Sequence, residues 1–148
     1  MFLIGFLSCM SLATIYSGKE IPFNFSGNGN LNAPGDWIKK NQIHIYKDKV
    51  IIDVDDPSLG RYAPTGSMIP VLDKNSNGIK IIPKKEEDIN IGDIITFEQD
   101  GMLIVHRVVE KGEDEEGVYF ITKGDNNNIT DGKIRFKDIK YVTIAIIY

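Results

Sequence analysis

The chain has 148 residues, enough for one domain of modest core with an appendage. Its 42% hydrophobic and 26% charged residues exclude intrinsic disorder, and a net charge of −4 with no basic patch argues against a nucleic-acid partner. The single cysteine, Cys9, and the two histidines, His44 and His106, have no zinc-ligand spacing, and one cysteine makes no internal disulfide, so no metal and no cofactor are expected.

Residues Phe2 to Tyr16 (FLIGFLSCMSLATIY) are almost wholly apolar. A helix of that length spans roughly 23 Å, against about 30 Å for a bilayer core. The segment reads as a membrane anchor helped by tilt or thinning, or as the core of an export signal, with a buried core helix as the alternative. No Lys or Arg precedes it and Lys19 follows, so charge does not set its orientation. Cys9 reads as a buried thiol. Residues 17–35, rich in Gly, Asn, Ser and Pro, break any period and form a flexible linker. Residues 36–148 then form the main domain.

Asp36 is placed to cap a short helical turn from Trp37 to Lys40. From there the pattern is β: IHIY (Ile43 to Tyr46), VIIDV (Val50 to Val54), GIKII (Gly78 to Ile82), DIITF (Asp93 to Phe97), MLIVHRVVE (Met102 to Glu110), GVYFITK (Gly117 to Lys123) and YVTIAIIY (Tyr141 to Tyr148). Asp53, Asp55 and Asp56 resemble the opening of a calcium loop, but Pro57 occupies the place of its third acid, so they read as a strand end and a turn. A hairpin turns at Gln99-Asp100-Gly101. The acidic run Glu113 to Glu116 reads as a solvated turn tip. These short strands predict a mostly β fold, a small and partly open barrel or sandwich of antiparallel strands behind the N-terminal apolar segment.

Three stretches carry chemistry. TGSMIP (Thr65 to Pro70) places Ser67 after a glycine that permits unusual backbone geometry and before a proline that stiffens the exit. Such a turn exposes a hydroxyl and aims backbone N–H groups at one point, as an oxyanion hole requires. A serine needs a base, and His106, inside an apolar strand, is the candidate; by alternation it faces opposite to Val105 and Arg107. TKGDNNNITDG (Thr122 to Gly132) brings Asp125 and Asp131 in one loop, either able to orient an imidazole. Each stretch also has a plain structural reading: a serine turn, a core histidine, an Asx-rich loop.

In this order, TGSMIP, Gly92-Asp93-Ile94-Ile95, His106-Arg107 and Lys123-Gly124-Asp125-Asn126 with Asp131 downstream resemble the motifs of the type I signal peptidases, particularly the archaeal and endoplasmic-reticulum branch. The resemblance runs from Tyr62 to Tyr148. It implies a membrane-anchored serine endopeptidase, with Ser67 as nucleophile, His106 as general base, and Asp131, supported by Asp125, orienting the histidine. It also implies an oxyanion site at the Thr65 hydroxyl and the Ser67 backbone N–H. Secretory precursors would be its substrates, on the exoplasmic face of a membrane, with protein translocation machinery as a further partner. Lys123 and Arg107 are taken as structural. The sequence departs from the family pattern at Thr65 (usually Ser), at Ile69 (often acidic) and at Asn77-Gly78, where the family has Gly-Asp; residues 36–60 match none of its core motifs. These departures keep open a catalytically inactive, membrane-tethered binding or assembly protein of the same fold. A self-cleaving repressor-type protease would use a lysine base on the strand that here carries His106, and Met102 to Glu110 contains none. Asn24-Phe25-Ser26 and Asn128-Ile129-Thr130 are glycosylation triplets if the chain is exported.

Overall fold

A computed structural model of the chain describes residues 33–148. The apolar segment 1–16, Cys9, most of the linker and the Asn24 triplet lie outside the described residues. Among the described residues there is no α-helix, and no helix long and apolar enough to cross a membrane.

Nine strands follow one another: β1 (Ile43–Ile45), β2 (Val50–Ile52), β3 (Ser58–Arg61), β4 (Asn77–Ile81), β5 (Ile94–Gln99), β6 (Met102–Asp114), β7 (Gly117–Lys123), β8 (Lys133–Arg135) and β9 (Ile139–Ile147). β1 and β2 make a separate two-stranded hairpin, and the other seven form one antiparallel sheet in the order β3-β4-β9-β5-β6-β7-β8. The barrel-or-sandwich expectation thus resolves to a single sheet, open at β3 and β8, with a hairpin appended.

The sheet carries apolar side chains on both faces. Ile94 to Phe97 are all buried, the mark of a strand covered on two sides. Alternation sends Ile95 and Phe97 into a cluster with Ile89, Val108, Phe120, Ile134, Ile139 and Val142, and Ile94 into a second cluster with Met68 and Leu72. The second cluster underlies the serine turn, so part of the core is also the foundation of the site.

The β5–β6 hairpin turns as expected. Gln99 pairs with Met102 across Asp100 and Gly101, whose φ angles of +52° and +73° suit a two-residue turn matched to strand twist. Other expectations need correction. No helical turn spans Trp37 to Lys40; a single 3₁₀ turn occupies Lys40–Gln42, and the Asp36 carboxylate accepts from Lys39 Nζ (2.8 Å) instead of capping. Trp37 packs against the large cluster, and its amide donates to the Gly35 carbonyl at 3.0 Å. Gly35, the last residue of the expected linker, donates its N–H to the buried Asp93 carboxylate at 2.7 Å. β6 runs on to Asp114, so only Glu115 and Glu116 form the turn, and Asp114 is bound by Lys133 and Arg135 of β8.

Candidate active site

The serine turn lies between β3 and β4. Gly66 takes a φ of +75°, a conformation that disfavours any side chain, and lets the chain double back. The Val71 and Leu72 amides both donate to the Met68 carbonyl at 2.9 Å, closing a tight turn. Met68 and Leu72 are buried against Ile94 beneath it, while Ser67 stays half-exposed on top. Ser67 Oγ lies 3.2 Å from Thr65 Oγ1, and the Ser67 amide faces the same hydroxyl at 3.5 Å.

The Lys123–Asn127 loop clamps this turn from outside. Asn126 N donates to the Ser67 carbonyl (2.8 Å) and Asn126 Nδ2 to the Gly66 carbonyl (3.1 Å). The approach requires Gly124, where a Cβ would come within 2.7 Å of the Ser67 carbonyl oxygen. Lys123 Nζ closes the loop on the Asn127 carbonyl at 3.2 Å.

His106 sits on β6 opposite Ile95 and is almost fully buried. Its Nδ1 is 2.6 Å from Asp131 Oδ2, which also accepts from Thr122 Oγ1 at 2.7 Å, and Asp131 N donates back to the Thr122 carbonyl at 2.9 Å. Thr122, wholly buried at the end of β7, therefore fixes both ends of the aspartate. Donation of Nδ1–H to the carboxylate leaves the lone pair on Nε2. Both side chains are screened from water, at 9% and 16% exposure, which strengthens their attraction.

Asp125 takes a different partner. It receives a two-pronged contact from Arg107, Nε to Oδ1 at 2.7 Å and Nη2 to Oδ2 at 2.8 Å, and Arg107 Nη1 donates to the Gly92 carbonyl at 2.7 Å. The Asp125 hydrogen bond raises the guanidinium pKa further above its ordinary value. Asp125 thus supports the loop through Arg107 and does not reach the imidazole. The Gly92-Asp93 motif is also architectural: Gly92 has a φ of +104°, and the Asp93 carboxylate accepts from the Gly35 and Asn90 amides at 2.7 and 2.8 Å.

Thr65, Ser67 and His106 line one cleft of about 550 Å³, with Met68 and Leu72 below and Met102 to Val105 along one wall. β7 pairs with β6 only from Arg107 onward, so the β6 edge from Met102 to His106 is open on the side away from β5. Ser67 Oγ is hydrogen-bonded to Thr65 and not to the imidazole. Two residues of this arrangement escape a sequence reading, Thr122 and Asn126; both lie in the TKGDNNNITDG stretch, but nothing in the spacing assigns either a role.

Fold and site together define a class: an antiparallel β protein that displays a serine, a histidine and a histidine-bound aspartate at one cleft. Curated relatives are more particular. The chain is 37% identical over 70 residues to the signal peptidase complex catalytic subunit sec11 of Dictyostelium discoideum, covering 45% of this chain and 38% of the relative. It is 32% identical over 80 residues to the signal peptidase complex catalytic subunit SEC11 of Candida albicans, covering 53% and 47%, and 36% identical over 70 residues to SEC11C of Canis lupus familiaris, covering 45% and 36%. The chain is thereby related to the type I signal peptidases, though it spans less than half the length of each of these relatives. No family model matches the chain, and no solved structure matches it.

Proposed function

We propose that the chain is a membrane-anchored serine endopeptidase that removes signal peptides from secretory precursors. The observation that carries the reading is the His106–Asp131 couple, which faces the same cleft as Ser67. In this mechanism Asp131 holds the imidazole with Nε2 toward the cleft. Ser67 swings from Thr65 to His106, loses its proton to Nε2 and attacks the scissile carbonyl. The Ser67 amide and the Thr65 hydroxyl, released from Ser67, hold the oxyanion. His106 then protonates the departing amine, and water hydrolyses the acyl-enzyme by the reverse relay.

The open edge of β6 supports an extended peptide substrate. A strand added to Met102–His106 gains backbone hydrogen bonds and runs past Ser67 with its side chains alternately in and out of the cleft. The relatives are signal peptidase complex catalytic subunits by name, which supports a precursor as substrate. Residues 1–16 serve as the anchor or export signal, 17–35 as the linker and 36–148 as the catalytic domain on the exoplasmic face, next to the translocation machinery that delivers precursors.

A second reading has one observation in its favour: the Ser67 hydroxyl is bound to Thr65, which fits an inactive, membrane-tethered binding protein. Cleavage decides between them. Membranes carrying the chain should cut a labelled precursor, and Ser67→Ala and His106→Ala should each lower the rate by about 10³-fold or more. Equal cutting by parent and both variants would refute the peptidase; no cutting by any of them would favour the binding protein.

A further inference from the structure

The charged side chains lining the cleft are Arg61 and Lys80, and no Asp or Glu lines it. In a chain of net charge −4 this is a marked segregation of sign. Among the described residues neither cation has an ion-pair partner. Glu98, two residues along β5 from the cleft residue Thr96, is itself held by Lys140 at 3.1 Å.

Lys80 is not a solvated surface lysine. It is half-buried on β4, with its ammonium 4.9 Å from the centroid of the Tyr141 ring. Its stem lies across Gly60 of β3, where a Cβ would come within 2.5 Å of both Cε and Nζ, so the missing side chain is what gives the lysine its place. Burial lowers its pKa, the signature of a cation short of solvation.

The geometry points to a subsite for a carboxylate side chain of the substrate, formed by Lys80 with Arg61, so that the cleft selects peptides bearing Asp or Glu near the bond to be cut. The assignment rests on the peptidase reading above. A carboxylate accepts from the Lys80 ammonium and is attracted by both cations. Glutamine of the same shape brings no charge, and lysine brings the wrong one. Side chains of an added strand alternate, so the preference belongs to substrate positions turned toward the cleft floor and is absent from those between them.

The test is binding to the full chain carrying Ser67→Ala, which needs no turnover. Fluorescein-labelled peptides spanning a precursor cleavage site are made in sets identical except for Glu, Gln or Lys at one position, scanned along the peptide. At one floor-facing position the Glu peptide should bind about tenfold more tightly than the Gln peptide, the size of one charge-assisted contact, with the Lys peptide weakest. The Glu-to-Gln ratio should fall below about twofold when Lys80→Met is added, and should shrink as salt rises. No Glu preference at any position, or a preference unmoved by both Lys80→Met and Arg61→Gln, would overturn the subsite. Cleavage of the same peptides by the parent chain is scored separately: Glu-selective binding without cleavage keeps the subsite and removes the peptidase, and cleavage without Glu selectivity does the reverse.

Discussion

At the residue scale the two aspartates of one loop part company because of the strand they face. His106 and Arg107 are successive on β6, so their side chains leave opposite faces of the sheet, and the loop from β7 to β8 supplies one carboxylate to each. Two predictions separate their roles. Asp131→Asn keeps the shape but no longer dictates which imidazole nitrogen carries the proton; precursor cleavage should fall by about 10²- to 10⁴-fold while the urea midpoint moves little. Asp125→Ala leaves a partly buried guanidinium without its partner and should lower unfolding stability by about 1–3 kcal/mol, read from urea titration, with the smaller catalytic effect following from a loosened serine turn. If Asp125→Ala removes activity as fully as Asp131→Asn at unchanged stability, the division is wrong. Ser67, His106 and the pair of acids stand out in the sequence because the proposed nucleophile, base and orienting group each call for a distinctive residue type. The residues alone leave open which acid meets the histidine, because a loop has no periodicity from which to read direction; the family resemblance favours Asp131, and in the structure Asp131 meets the imidazole while Arg107 claims Asp125.

At the element scale the strands most readable in the sequence are those whose neighbours bury them. The apolar runs of β5, β6, β7 and β9 carry the central pairings, and their alternation follows from that. β3 (SLGR) and β8 (KIR) escape notice because each is a short edge strand with one neighbour, held by pairing and, at β8, by charge. β8 shows how. Asp114 at the end of β6 gathers Lys133 and Arg135, so the acidic run that reads as a solvated tip is the fastening of an edge strand. The Lys133 hydrogen bond, with smaller help from the Glu116 amide and Arg135, lowers the Asp114 pKa from 3.8 to about 2. A carboxyl whose folded pKa is depressed stabilises the fold above its unfolded pKa and loses that contribution as pH falls. The urea midpoint of the parent should therefore exceed that of Asp114→Asn by a constant margin from pH 7 to about 5, and the margin should close between 3.8 and about 2. A margin that persists unchanged at pH 2 would mean that packing, not charge, fastens β8.

At the scale of the whole molecule, the open cleft and the apolar segment 1–16 pose one question of concentration. A cleft that binds one extended strand at an open edge contacts few residues of its substrate, and an interaction of that size is weak in free solution. Tethering enzyme and precursor to one membrane converts the encounter into a nearly two-dimensional one at an effective concentration that short flexible linkers raise to about the millimolar range. The glycine- and asparagine-rich stretch 17–35 has the composition of such a linker. Deleting residues 1–16 should accordingly lower cleavage of a membrane-borne precursor by about tenfold or more, yet change kcat/KM on a short soluble peptide by less than about twofold. Extraction at alkaline pH and intact mass distinguish the two readings of the segment. An anchor keeps the full-length chain in the membrane pellet, whereas a removed export signal shortens the mature chain and frees it. Equal losses on both substrates would show instead that residues 1–16 support the fold of the cleft, and the tethering account would have to be abandoned.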